Sequence, residues 1–472
     1  MFAGVEEVAR HRSCEGERSS GVIQHRLGRE IHGVVFVRVI LRLQKGNEVK
    51  FLGLILVLLF CAPLVCAQQP WLSDAERSRF EELRRSGLDA LYNIDYDKAN
   101  REFKEIVRLY PNHPGGYQLL AARLWIKTLY ESRRLQSSLY SSESFYSTGD
   151  DKVDPKIVTE FRNLTRESRR LAEAKLKEEP KNVEALDFLA NTEGLKASFE
   201  EAVERRHFAA LRDGNDAVNH HREVLKIDPK YIDAQITIGL YEYVVGSLPL
   251  PVKILAGATG FRGSKKRGLK LLEQVAAEGR WAQDDAKSVL ILLYTREKRF
   301  AEVVKLTREL SAKYPRNYLL RLETGDALVS LAAQKRKEKD LAGAVQAEKE
   351  AFENFDEMLR DKNVRDTAGR ALDLIHFKYG EALLTAGYNE RAAKEFLATT
   401  KVDRAEPGLV TMAHLYAARA YDVAGKRDEA VAQYKEVLSR PNVYDAHEEA
   451  KRGMKQAYKA EAVARPPDVS SN

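Results

Sequence analysis

Residues 80–114 read FEELRRSGLDALYNIDYDKANREFKEIVRLYPNHP, and four residues in this stretch decide the fold. Gly87, Ala99, Phe103 and Pro111 follow one another at gaps of 12, 4 and 8. The first two gaps return at Gly380, Ala392 and Phe396, and again at Ala418, Ala430 and Tyr434, with Tyr421 between them and Pro441 after. TAGYNERAAKEF and VAGKRDEAVAQY are near copies, and their Ala392 and Ala430 lie 38 residues apart. Each copy places a glycine after one apolar-periodic run and a charged turn before the next. Self-similarity at such a period marks a stack of supersecondary units. Weaker copies lie between: Ala217 precedes Pro229 by 12, and Val303 precedes Pro315 by 12. The strings LKEEPKN, LKIDPKY and SAKYPRN read as one helix ending and another beginning.

Composition agrees with helices. The chain has 472 residues with 28 glycines and 14 prolines, too few turn formers for a many-stranded sheet. A stack of repeats also explains how so long a chain can lack one large core, because each unit buries its apolar face on its neighbours. The formal charge is +7, from 77 basic and 70 acidic side chains interleaved along the chain. No arginine-rich stripe with interleaved aromatics appears, so other proteins are the expected partners and nucleic acid is not.

The spacing resembles the tetratricopeptide repeat, a family of helical hairpins of 34 residues. The resemblance implies an all-α, tetratricopeptide-like α-solenoid, a right-handed superhelix of hairpins following an N-terminal signal segment. It implies that Gly87, Gly380 and Ala418 let helix A approach helix B at Ala99, Ala392 and Ala430. Phe103, Phe396 and Tyr434 then fill the space between hairpins, and Pro111 ends a helix B. It also implies a concave groove lined by the A helices, suited to an extended peptide or an amphipathic helix. Carried onto this chain, the groove positions are Glu81, Arg84, Leu88 and Leu91; then Leu374, Phe377, Glu381 and Leu384; then Met412, Leu415, Arg419 and Asp422. The family supplies no catalytic residue.

The chain divides accordingly. Residues 1–48 are basic and patternless and read as a non-native or disordered extension. Residues 49–67 read as a signal peptide, with an uninterrupted apolar core FLGLILVLLFCAPLVCA behind Lys50 and cleavage expected between Ala67 and Gln68. An uncleaved anchor and a lipoprotein at Cys66 are alternatives. The three cysteines, Cys14, Cys61 and Cys66, all precede that cut, so the mature chain would hold no disulfide and no thiol nucleophile. The expected location is therefore the periplasm or cell envelope. Tetratricopeptide-like units follow at 68–137, a Ser/Asp-rich loop at 138–156, central repeats at 157–333, C-terminal repeats at 334–463 and a disordered tail at 464–472. The charge run at 334–350 reads as a solvated face.

Within the central part, residues 239–268 stand out. From Tyr243 to Phe261 the only charge is Lys253, while Pro249 and Pro251 forbid a continuous helix. The segment reads as a buried crossover. The alternative is a peripheral membrane contact through 243–261, which would make the chain a membrane-associated assembly factor.

A search for chemistry finds little. No HExxH, GxSxG or GxxxxGK[ST] occurs. Glu204 with His207 forms one ExxH, and Asp373 with His376 is the nearest second pair, but a di-iron bundle needs two such pairs and two further glutamates. His220 and His221 are adjacent and must point to different helix faces. The expectation is a chain with no catalytic residue, metal or cofactor. A helical metal-dependent enzyme is the remaining alternative.

Overall fold

The computed structural model describes residues 71–133, 135, 153–250, 253 and 262–459. The readings of 1–48, of 49–67 with its Ala67–Gln68 cut, of most of 138–156, of much of 251–261 and of the tail from 464 lie outside the described residues. The described part belongs to one compact unit, Gln68–Asn472.

Eighteen α-helices and no strand occur among the described residues. They pair into eight hairpins of an A helix and a B helix: α1 (Asp74–Tyr92) with α2 (Tyr96–Leu109), α3 (Pro114–Glu131) with α4 (Pro155–Glu178), α5 (Val183–Phe199) with α6 (His207–Ile227), α7 (Gln235–Gly246) with α8 (Lys265–Glu278). Next come α9 (Gln283–Arg296) with α10 (Phe300–Lys313) and α11 (Tyr318–Lys337) with α12 (Leu341–Arg360). A short α13 (Lys362–Ala368) precedes α14 (Leu372–Thr385) with α15 (Asn389–Thr399) and α16 (Pro407–Val423) with α17 (Arg427–Leu438). The last helix, α18 (Ala446–Lys455), covers the end of the stack.

The turns explain the repetition. Arg133 and Arg205 take a left-handed backbone after α3 and α5, and five further A-to-B turns share one form of it, at Ile94, Lys298, Lys339, Gly387 and Gly425. Each of the five closes with the same two bonds. Ile94 N–H donates to Leu91 O at 3.1 Å and Asp95 N–H to Ala90 O at 2.8 Å; Gly425 N–H donates to Asp422 O at 3.1 Å and Lys426 N–H to Tyr421 O at 2.9 Å. This is a Schellman closure, which satisfies carbonyls left open at the helix end. Glycine adopts that backbone without cost, and other residues do so at about 1–2 kcal/mol.

The B-to-A turns share a second pattern. Tyr110, Glu179, Asp228 and Tyr314 each donate back four residues at 2.8 Å, and each is followed by proline, which cannot continue the helix. LKEEPKN, LKIDPKY and SAKYPRN are therefore what they read as, B helices running into A helices. Starts are also locally encoded. Ser73 caps α1 in a capping box, its N–H donating to Glu76 Oε2 at 2.8 Å while its Oγ accepts from Glu76 N–H at 3.4 Å.

Small residues and rings meet across each hairpin as the spacing requires. A Cβ on Gly380 would lie 2.7 Å from Phe396 Cδ1, and one on Gly87 would collide with Phe103. Phe103, Phe396 and Tyr434 are all buried, each contributing about 2–3 kcal/mol by removal of apolar surface from water. Ala99, Ala392, Ala418 and Ala430 have no exposed surface, while Tyr421 is half-buried and Pro111 exposed. The chain is a tetratricopeptide-like α-solenoid.

One segment differs from its sequence reading. The charged run at 334–350 is the tip of the long hairpin α11–α12, and within it Arg336 pairs with Glu348 where both side chains are largely buried, so it is not simply a solvated face. In the apolar segment, Gly239 and Gly268 bring α7 and α8 together backbone to backbone: a Cβ on Gly268 would lie 2.5 Å from Gly239 O. No described helix is long and apolar enough to cross a membrane.

Candidate functional site

Successive A helices touch one another, α3 against α5, α11 against α14 and α14 against α16, so they line the inner side of the curve. The wall they form begins on α1. Glu81, Arg84, Leu88 and Tyr92 recur at helical spacing and share one face. That face meets the chain's own later turns. Arg280 donates to Glu81 at 2.8 and 3.1 Å, and the Arg84 guanidinium lies 4.1 Å over the Trp281 ring. Tyr92 stacks on Tyr314 at 4.8 Å, donates to Asp285, and its carbonyl accepts from Asn317 at 2.8 Å. Leu88 is half-buried against the N-terminal core.

Below these contacts Arg316 reaches Asp95 at 3.2 Å, and Arg133 grips Asp373 through two bonds of 2.9 and 3.0 Å. Asp373 has no exposed surface and also accepts from Glu406 N–H at 2.9 Å at the start of α16. The first two hairpins thus dock on the turns that open α9, α11 and α14, and the solenoid closes on itself. Beside this closure lies a cleft of about 650 Å³, walled by Tyr130, Leu135, Tyr318, Leu374 and Glu406.

The wall is strongly charged. Asp233 accepts from the backbone N–H groups of Arg280, Trp281 and Ala282 at 2.8, 2.9 and 3.4 Å, which fixes the turn carrying Trp281. Burial lowers the Arg84 pKa, opposed by Asp187, Tyr231, Asp233 and Asp285 around it. Burial raises the Asp285 carboxyl, and neighbouring Asp284 adds to the rise. Asp285 nevertheless keeps accessible surface. Burial would also raise Glu184, but the neighbouring His113 ring, with Nε2 at 3.8 Å, and hydrogen bonds from Arg77 at 3.1 and 3.2 Å bring it down to about 2.

At the C-terminal end the expected groove positions separate into floor and wall. Phe377 is 0% exposed and packs 5.3 Å from Phe396 and 5.4 Å from Tyr416; Leu415 is 1% exposed. These two, like Met412, sit in the core between hairpins and present almost no surface to a partner, whereas Leu374, 2% exposed, lines the cleft. Glu381 stands on the wall, 3.0 Å from Lys378, with its carboxyl raised by burial. Arg419 donates to Glu449 at 2.8 Å and lies 5.0 Å over Tyr416. Asp422 accepts from Arg427 at 2.7 Å and from Tyr434 OH at 2.8 Å. The ring that fills the repeat is thereby tied to a groove position, a link the spacing alone does not reveal.

The described side chains of the pairs considered for metal chemistry meet other partners. Glu204 accepts from Arg162 at 2.6 Å, and the side chain of His207 lies outside the described ones. Asp373 holds Arg133, while His376 Nδ1 is 2.8 Å from Glu395. His220 and His221 turn to different carboxylates, Glu193 at 2.8 Å and Asp187 at 3.3 Å. Among the described residues no group of three or more His, Cys, Asp or Glu side chains is placed to hold a metal ion.

No protein-family model matches the chain, and no curated protein matches it. Solved structures give low-scoring likenesses. A human IFIT1 dimer with m7Gppp-AAAA is 14% identical, with 83% of this chain and 87% of that chain covered at a TM-score of 0.36. An IFIT1 monomeric mutant with Gppp-AAAA is 14% identical, covering 82% and 86% at 0.39. A tetratricopeptide repeat protein from Parabacteroides merdae is 14% identical, covering 72% and 99% at 0.27. The solenoid assignment stands on the turns and ring contacts above and not on these scores.

Proposed function

We propose that this chain is a non-catalytic scaffold that binds segments of other proteins along the inner wall of the solenoid. The supporting observation is the arrangement at α14 and α16. A buried floor of Phe377 and Leu415 holds the helices, and above it Glu381, Tyr416 and Arg419 present charge and ring faces at fixed positions. Such a surface offers anchors of the kind that dominate protein recognition, aromatic rings and arginine. Along the closure its arginines are already matched to carboxylates, Arg133 to Asp373, Arg280 to Glu81 and Arg316 to Asp95, which favours a peptide over a polyphosphate chain. The signal-like residues 49–67 support export, with the partner in the periplasm or cell envelope.

The test is a pair of charge reversals in the full chain. Glu381→Lys on the inner wall is expected to abolish capture of a partner from the cell envelope. Lys394→Glu on the outer helix α15 is expected to leave it intact. Equal loss from both, or from neither, rejects the inner wall as the binding surface.

A second reading is a membrane-associated assembly factor acting through 243–261. Val244 and Leu250 favour it, since they are exposed by 42% and 71%. Liposome flotation of the wild type and of Val252→Asp decides it: loss of lipid binding in the variant supports the reading, and no flotation of the wild type removes it.

A further inference from the structure

The last A helix does not face solvent alone. Beyond α18 the chain turns extended, with Gln456 at φ −140 and ψ 127, and crosses the inner side of α16. Arg427 directs this exit. Its Nη2 donates to the carbonyls of Gly453 and Met454 at 2.7 and 2.8 Å, while its Nη1 holds Asp422. Tyr458 then lies on the wall. Its backbone N–H donates to Asp422 Oδ2 at 2.8 Å, and its ring lies 5.1 Å from the Arg419 guanidinium, which has Tyr416 at 5.0 Å. Arg419 and Asp422 are both groove positions, so the chain's own segment sits where a ligand of this fold would sit.

We propose that α16 carries a seat for an extended peptide bearing an aromatic residue, and that Gln456–Lys459 fills it in the free protein as a built-in competitor. The inference rests on the inner-wall reading and deepens it by naming the ligand class and its recognition. The Asp422 carboxylate accepts the peptide N–H, and the Arg419 guanidinium, set against Tyr416 on one side, receives the ring on the other. A backbone bond selects extended peptide, and the cation over the ring selects tyrosine, tryptophan or phenylalanine. The occupant is held weakly enough to leave. Tyr458 is 38% exposed, and α18 holds the segment from its N-terminal side. A partner must displace it, so its apparent affinity is reduced by the fraction of chains in which the seat is filled.

The experiment uses the full chain and a fluorescent peptide with the sequence of residues 455–460, KQAYKA. Binding is measured by anisotropy to the wild type and to Tyr458→Ala, whose folding is checked by circular dichroism. The peptide is expected to bind Tyr458→Ala about tenfold more tightly than the wild type, because the competitor has lost its ring. Two modified peptides need no further protein variant: one with alanine for tyrosine, and one N-methylated at the tyrosine amide. Both are expected to bind at least about tenfold more weakly. Equal affinity for wild type and Tyr458→Ala overturns the proposal. So does absence of binding to either, or undiminished binding of the N-methylated peptide. Should that happen while Glu381→Lys still abolishes partner capture, the seat falls and the inner-wall function stands.

Discussion

Arg133 and Asp373 stand 240 positions apart in the chain and meet through two hydrogen bonds of 2.9 and 3.0 Å, with the aspartate fully enclosed. This one pair ties the end of α3 to the start of α14, and so ties the second hairpin to the seventh. Removing one partner of a buried pair leaves the other charge without compensation, at a cost of about 3–5 kcal/mol. Arg133→Ala and Asp373→Asn are each expected to lower unfolding stability in urea by about that amount. The double variant Arg133→Met with Asp373→Leu is expected to recover much of it. A loss under about 1 kcal/mol for both single variants would show that the closure does not hold the solenoid together.

Glycine is missing from three of five equivalent turns. Lys298 and Lys339 are exposed and hold the same left-handed backbone as Gly387 and Gly425, with no burial to lose on replacement. Lys298→Gly and Lys339→Gly are each expected to raise stability by about 1 kcal/mol, and Gly425→Ala to lower it by about as much. Urea midpoints at constant slope are the readout. Destabilisation by either lysine replacement would contradict the turn argument.

Gly380 sits where any side chain meets Phe396. Gly380→Val is expected to cost about 1–3 kcal/mol through overpacking, with no offset from helix propensity, since valine gains little over glycine there. Adding Phe396→Leu to Gly380→Val should restore part of the loss. If the second change instead adds its full cost to the first, the two positions are not in contact.

Acid should loosen the first repeats. Glu184 is held at about 2 against an ordinary 4.5, so its contribution is complete above pH 4.5 and disappears as pH falls toward 2. His113 is lowered by burial, and its share is present above 6.5 and fades as pH drops below that value. Both signs point the same way, to stability that decreases on acidification from neutral. Glu184→Gln is expected to flatten the part of the profile below pH 4.5. An unchanged slope in that range would show that Arg77 and His113 do not depend on this carboxylate.

The hairpins were legible wherever small residue and ring stand 16 positions apart, as in Gly87 with Phe103 and Gly380 with Phe396. The same contact exists between Gly325 and Phe355, whose ring lies 2.6 Å from where a Cβ would stand. They are 30 residues apart because α11 and α12 each have 20, so no fixed spacing could reveal them. Turns at Ile94, Lys298 and Lys339 were hidden because the fold accepts the strain of a non-glycine residue. At the wall, register alone could not separate Phe377 and Leu415, which turn into the core, from Glu381 and Arg419, which do not. The closure through Arg133 and Asp373, and the return of Tyr458 onto Asp422, depend on the curvature of the whole stack. Nothing in local sequence encodes that curvature.

The most direct test of the scaffold reading is site-specific photo-crosslinking in living cells. A photoreactive residue replaces Glu381 or Tyr416 on the inner wall, and Lys394 or Glu436 on the outer helices α15 and α17. The account predicts a discrete crosslinked partner from both inner positions and none from the outer pair. Crosslinks from Lys394 and Glu436 with none from Glu381 and Tyr416 would contradict it.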